Sequence, residues 1–395
     1  MRQVVRPVAV MMICSTSLGS AGEIEVPEAS EASRFTLPAP DGPHSVGVRS
    51  YGWIDATRAE LATPEEDDFR EVTVQIWYPA VMGKDERKAL YAPELEEMLA
   101  AAASLPPREQ GFVRAHTPLL NTATNSVPEA KPEVSGGPAP VILFSPGGNV
   151  SRHFQTALAE RMASQGFVFV SMSHPYSTID VAPQTGFSMT IDWGLDDADA
   201  ETARVNDDRL ADILAADADF VIEKLRELST SDGPLAGALE LDHLGIAGHS
   251  RGGTTVGRAC ASNPRFVACA VLDNIGPDRE QETGVPPPFL TLRSPWDDER
   301  IASLHGYLGR TGSIAHDVEL SRSNHFSCTD LPLFLSDLRV EGIEPADGID
   351  DCADILESFF DAYLRRRIST NDRWQPPIGR ARVTTFESSD GDVPQ

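Results

Sequence analysis

Cysteine is scarce in this chain of 395 residues: there are five, none spaced as Cys-x-x-Cys, and no cysteine–histidine cluster has zinc-ligand spacing. A metal site is therefore not expected. Positive charge is scarce too, with 33 lysines and arginines against 60 aspartates and glutamates and a formal net charge of -27. Such a surface repels phosphate backbones and anionic headgroups, which excludes nucleic-acid binding and makes stable membrane anchoring unexpected. No apolar run approaches the roughly 20 residues that span a bilayer. Also absent are a G-x-G-x-x-G or Walker-type phosphate loop and any internal repeat. The acidic stretch "DWGLDDADAE" (192–201) lacks the glycine and glutamate placement of a calcium loop and reads as a solvated approach to a helix. No metal or organic cofactor is implied.

The N-terminus reads "MRQVVRPVAVMMICSTSLGSAGE": two arginines, a short apolar run, then small residues ending at Ala21. That order predicts a signal peptide over 1–21 and a secreted or periplasmic protein. Residues 22–34 are acidic and small, a flexible leader. A single domain is expected over 35–370, followed by a C-terminal tail over 371–395. Beyond the signal, Cys260, Cys269, Cys328 and Cys352 remain, and an even number in an exported protein favours disulfides. Of the three connectivities, Cys260–Cys269 with Cys328–Cys352 is the expected one.

"REVTVQIWYPA" (70–80) alternates Val72, Val74, Ile76 and Tyr78 on one side, the period of a strand. Residues 81–138 show no strand pattern; they hold one helix, "PELEEMLAAAASL", and read as an insertion, either a lid or a solvent-facing decoration. From Val141 the rhythm changes. "VILF", "FVFVSMSH", "HLGIAGHS", "FVACAVLD" and "FLTLRS" are apolar runs fit for strands buried on both faces. Helical segments lie between them at 154–166, 201–228 and 252–262, and a last one follows at "ADILESFFDAYLRRRI". Strand and helix repeated this way predict an α/β protein with a mostly parallel central sheet and helices on both faces.

"GIAGHSRGG" (245–253) places Ser250 in a G-x-S-x-G pattern between an apolar strand and a segment of small residues. This is the sequence of a strand-to-helix elbow that lifts a serine hydroxyl above the sheet. A serine hydroxyl needs a histidine to take its proton and a carboxylate to hold that histidine in the right tautomer. His305, His316 and His325 lie far enough downstream; His305 falls in a helical segment, and His325, in the loop "RSNHFSC", is the candidate. Asp273 and Asp297 both follow strands, and spacing does not choose between them. Two backbone N–H groups are needed for the oxyanion. Arg251, after the serine, and Gly148, in the turn "FSPGGN", are the expected donors.

With these residues in hand, the chain resembles the platelet-activating factor acetylhydrolase family, in its bacterial plasma-type-like branch of the α/β-hydrolases. The similarity runs through "GPHSVGVRS", "REVTVQIWYPA", "VILFSPGGN", "LAERMASQGFVFVSMSHP", "LGIAGHSRGG", "AVLDN" and "SNHFS", most of residues 35–365. The resemblance implies an α/β-hydrolase fold and a triad of Ser250, Asp273 and His325, in which the acid ends the strand after the nucleophile helix. It departs from the family at Pro146-Gly147, where histidine-glycine is usual, and at Arg251, where an aromatic is frequent. Both changes border the acyl pocket, so acetyl-phospholipid specificity is not carried over. The expectation is a serine hydrolase of small-molecule carboxylic esters with short or modest acyl groups, and lipid degradation is within its range. A polyester or phthalate-type esterase and a non-catalytic binding protein of the same fold are the alternatives.

Overall fold

The computed structural model describes residues 37–365 and 374–387, apart from 66, 84–86, 106, 121, 190, 192, 196–198, 231 and 276–286. The expected signal peptide and leader lie outside the described residues.

The chain begins with an antiparallel pair, β1 (Ser45–Ala59) and β2 (Phe69–Val81). Between β2 and the main sheet come α1 (Leu95–Ala102), α2 (Pro107–Arg114) and the two-residue strands β3 (Val127–Pro128) and β4 (Lys131–Pro132). Then follow β5 (Ala139–Ser145), α3 (Thr156–Ser164), β6 (Val168–Ser173) and a small hairpin of β7 (Asp180–Ala182) with β8 (Gly186–Ser188). Next are α4 (Ala200–Leu228), β9 (Leu239–His249), α5 (Gly252–Ser262), β10 (Phe266–Leu272) and β11 (Phe289–Arg293). A helix at Asp298–Leu308, β12 (Ile314–Leu320), a closing helix at Pro345–Tyr363 and β13 (Ala381–Glu387) complete the order.

Apart from the β7–β8 hairpin, the strands form one sheet in the order β13-β12-β11-β10-β9-β5-β6-β2-β1-β3, with β4 beside β2. From β6 to β12 every neighbouring pair is parallel, whereas β2, β1 and β13 join antiparallel. The side-chain period of two divides the core. Ile142 and Phe144 turn to the face covered by α3 and the closing helix, where Leu158, Met162, Phe359 and Phe360 are buried. Val141 and Leu143 turn to the other face, against Val221, Leu225 and Val256 of α4 and α5. A strand with helices on both sides has no polar face, which is why "VILF" is continuous. Each such side chain, fully buried, contributes about 1.5–3 kcal/mol.

Three sequence expectations need correction. Strand β1 was not anticipated: Gly47 and Gly52 interrupt its alternation, and it lies near the sheet edge with much of its length half exposed. Residues 81–138 contain two helices, and their two short strands pair with β1 and β2. Part of the expected C-terminal tail belongs to the domain, since β13 pairs along its length with β12 and Trp374 is buried against the core. An exposed antiparallel edge strand needs little apolar content, and β13 has little. The disulfides are the expected ones, Cys260–Cys269 and Cys328–Cys352.

Candidate active site

Ser250 sits between β9 and α5 with φ +52°, the left-handed region that L-residues rarely occupy. The strain is held in place by its neighbours. The Ser250 N–H donates to the Leu272 carbonyl at 2.9 Å, and the Ser250 carbonyl accepts from Gly253 N–H at 2.8 Å and from Asn274 Nδ2 at 2.5 Å. The flanking glycines are dictated by space: a Cβ on Gly248 would collide with the backbone of Gly252, and one on Gly252 with the carbonyl of Ser145. That packing makes the G-x-S-x-G spacing a physical requirement of this elbow.

The two aspartates separate cleanly. Asp273 directly follows β10, itself at φ +56°, and its Oδ2 lies 2.6 Å from Nδ1 of His325. Its Oδ1 accepts from the Ser294 N–H at 2.8 Å, the Ser294 hydroxyl at 2.7 Å and Trp296 Nε1 at 2.9 Å. Burial opposes its charge, but the bond and charge of His325 and the two Ser294 donors hold Asp273 well below the usual carboxylate range. Asp297 is exposed and caps the helix Asp298–Leu308 by accepting from Arg300 N–H at 2.8 Å. Among the other histidines considered, His305 pairs with Asp317 at 2.8 Å and His316 bonds Tyr363 and Thr385.

His325 is brought beside the elbow by a residue that pattern reading passed over. His249, the second position of G-x-S-x-G, is buried, and its ring stands 4.7 Å from that of His325. Its Nε2 is 2.6 Å from the His325 carbonyl. Burial, aided by the charge of His325, lowers the His249 pKa to about 3. The ring is therefore neutral near pH 7, and its Nε2–H donates to that carbonyl, fixing the tautomer. Ser294 and Trp296 were likewise missed, because nothing in "RSPW" marks them as partners of a carboxylate 21 and 23 residues earlier.

The turn after β5 closes against the elbow. A Cβ on Gly147 would lie 3.3 Å from the Ser250 Cβ, and one on Gly148 would lie 3.6 Å from the Arg251 Cβ. The two expected oxyanion donors thus come from adjacent residues of facing turns. The Arg251 guanidinium turns to Asp207 on α4, 2.7 Å away. Residues after β6 support the turn: Asn149 N–H donates to the Ser177 carbonyl at 3.1 Å, and Ile179 N–H to that of Val150 at 3.3 Å. Among the described residues no group of histidine, cysteine, aspartate or glutamate is arranged to hold a metal ion.

A mostly parallel sheet carrying a serine on a strained strand-to-helix elbow, with an aspartate and a histidine following in that chain order, is the arrangement of the α/β-hydrolase fold. Comparison bears out the resemblance read from the sequence. The description of the platelet-activating factor acetylhydrolase family, isoform II, matches residues 29–181, a stretch that includes the Gly147-Gly148 turn and ends before the elbow. A protein of Arthroderma benhamiae named as a probable 1-alkyl-2-acetylglycerophosphocholine esterase is 25% identical over 253 residues, covering 60% of this chain. The match spans 58% of that relative's length. The solved structure of a ferulic acid esterase from Streptomyces cinnamoneus superimposes with a TM-score of 0.70 at 21% identity, covering 89% of this chain and 99% of the other. At that identity the likeness speaks for the fold.

Proposed function

We propose that this chain is a serine carboxylic ester hydrolase. The observation that carries the reading is the 2.6 Å bond between Asp273 and His325, whose ring stands against that of His249, the residue before Ser250. In the first half-reaction the Ser250 Oγ attacks the ester carbonyl carbon while His325 takes the hydroxyl proton. The resulting oxyanion is met by the N–H groups of Gly148 and Arg251. The tetrahedral intermediate collapses by breaking the bond to the alcohol oxygen, which leaves with the proton from His325. In the second half, water attacks the acyl-enzyme with His325 again as base, and the carboxylic acid departs. Asp273 stays ionised throughout and orients His325.

The substrate class we propose is small-molecule esters with short or modest acyl groups. The name of the Arthroderma relative makes acetylated glycerophosphocholines the first to test, and the acidity of the chain supports a monomeric or zwitterionic substrate over an anionic interface. Export fits the two disulfides, which persist in oxidising compartments, and no helix among the described residues is long and apolar enough to cross a membrane.

The test is hydrolysis of p-nitrophenyl acetate, butyrate and octanoate by the purified protein beside Ser250→Ala, with fluorophosphonate labelling in parallel. Expected is activity that falls with chain length, is lost in Ser250→Ala by at least about a thousandfold, and a label on Ser250. Equal inertness of both proteins, with no label, would leave the fold as a binding protein.

A further inference from the structure

The described residues hold a second series of serine, histidine and aspartate, apart from Ser250. The Ser145 Oγ lies 2.8 Å from His174 Nε2, and His174 Nδ1 lies 2.9 Å from Asp217 Oδ2. Asp217 also receives Arg70 through Nε at 2.6 Å and Nη2 at 2.7 Å, and Arg58 through Nη1 at 2.8 Å. At its other end the Ser145 hydroxyl meets the Thr255 hydroxyl at 2.9 Å. Ser145, His174, Asp217, Thr255 and Arg70 are all buried. No ester can reach this serine, and its hydroxyl is already engaged on both sides, so it is not a second nucleophile.

Its place in the fold gives it another use. Ser145 is the last residue of β5, directly before Pro146, Gly147 and Gly148. His174 follows β6, and its carbonyl accepts from Ser177 and Thr178 N–H, both at 3.0 Å; the Ser177 carbonyl in turn holds Asn149 N–H. Thr255 lies in the first turn of α5, one turn beyond Arg251. The series therefore joins the three elements that meet at the facing donors Gly148 and Arg251: the end of β5, the turn after β6 and the start of α5. Arg70 and Arg58 occupy one Asp217 oxygen fully and Arg70 shares the other with His174, so the aspartate is a fixed anchor.

We propose that Ser145, His174 and Asp217 are positioning residues that set the Gly147-Gly148 turn against the elbow and thereby fix the spacing of the oxyanion donors. The proposal rests on the ester-hydrolase reading above. A displaced oxyanion donor weakens binding of the tetrahedral intermediate more than binding of the ester, because only the intermediate carries the charge.

The test compares wild type, Ser145→Ala, His174→Asn and His174→Gln on p-nitrophenyl butyrate, together with the inhibition constant of a trifluoromethyl ketone of the same acyl length and the melting temperature. Expected in Ser145→Ala and His174→Asn is a fall in kcat of about ten- to a hundredfold with KM changed less than about threefold, matched by an equal weakening of the ketone, whose adduct carries the oxyanion. His174→Gln, whose terminal amide reaches the position of the ring Nε2, recovers most of the loss. Should Ser145→Ala fail to fold, Thr255→Val cuts the same chain of bonds at its other end and is held to the same outcome. Folded variants with wild-type kcat and ketone affinity, or a loss confined to KM, would overturn the positioning role while leaving the hydrolase reading intact. Fluorophosphonate labelling of Ser145 in place of Ser250 would overturn it as well. A wild type that neither hydrolyses nor labels overturns the hydrolase reading itself, and this role falls with it.

Discussion

Asp273 and Asp297 are the same side chain at the same kind of place, the carboxyl end of a strand, yet their surroundings give them different work. Four donors converge on Asp273, which is buried; one backbone N–H meets Asp297, which faces water. In Asp273→Asn the amide no longer enforces the His325 tautomer in which Nε2 can accept the serine proton. We expect kcat on p-nitrophenyl butyrate to fall by about a thousand- to ten-thousandfold. In Asp297→Ala kcat is expected to stay within about twofold while the lost cap costs about 1 kcal/mol in a denaturant titration. The reverse pattern would move the acid to Asp297. Ser250 was legible in the sequence because the tight elbow imposes glycines at fixed offsets, and His325 because chain order and a loop setting narrow the field. The contact of His325 with Asp273 was not legible from spacing, because hydrogen-bond donors 21 and 23 residues away hold that carboxylate in place. His249 was hidden for a similar reason: its partner is a backbone carbonyl, which every residue carries.

Among the elements, the stretch from 81 to 138, read from the sequence as an insertion, either a lid or a decoration, is sewn to the domain at three acids, two of them buried and Glu94 half-buried. Glu94, just before α1, bonds His153 at 2.8 Å and also pairs with Arg152; burial opposes its charge, but those two partners hold it well below the usual range. Glu160 on α3 accepts from Asn125 N–H at 2.8 Å and from the Ser126 hydroxyl. Asp330 accepts from the Tyr91 hydroxyl at 2.7 Å, and burial pushes its pKa up to about 8. None of these contacts has a periodic signature, and each joins residues distant in the chain. The helices and parallel strands from Val141 onward were legible because burial on two faces imposes a pattern; the half-exposed β1 and β13 were not. Asp330 carries a pH dependence of known sign. Between about pH 4 and pH 8 the folded chain holds a proton on this acid that the unfolded chain has released, so its contribution is full below about pH 4 and is lost as pH rises to 8. His249, lowered to about 3, and His316, lowered by burial to about 4, act oppositely, losing stability as pH falls below about 6.5. Both remain in Asp330→Asn, so the difference between the two proteins isolates Asp330. Melting temperatures from pH 6 to 8.5 should fall more steeply in wild type than in Asp330→Asn. Parallel curves would mean that Asp330 is already ionised when buried.

For the whole molecule, the excess of 60 acidic over 33 basic residues sets like charges against one another across a single sheet, a repulsion that compactness must overcome. Arginines offset part of it by gathering acids, as Arg70 and Arg58 do at Asp217 and Arg161 does with Asp41, Asp350 and Asp354. The two disulfides act on the other side of the balance, by restricting the unfolded chain. Cys260–Cys269 links α5 to β10 across a separation of 9, whereas Cys328–Cys352 spans 24 and ties the loop that carries His325 to the closing helix. On chain entropy alone the longer bridge stabilises by about 3.5 kcal/mol and the shorter by about 2.6 kcal/mol. Paired replacement of Cys328 and Cys352 by alanine should therefore lower the denaturation midpoint more than the same change at Cys260 and Cys269. It should also reduce activity well below the melting range, because Ser327, beside Cys328, holds Asn324 N–H at 2.9 Å and so shapes the turn that presents His325. The shorter bridge is buried between elements that Val256 and Val271 already pack together, and its loss should leave kcat near wild type. Equal kcat in the two double variants at 25 °C, with only the midpoints differing, would show that the closing helix holds the His325 loop without its covalent tie.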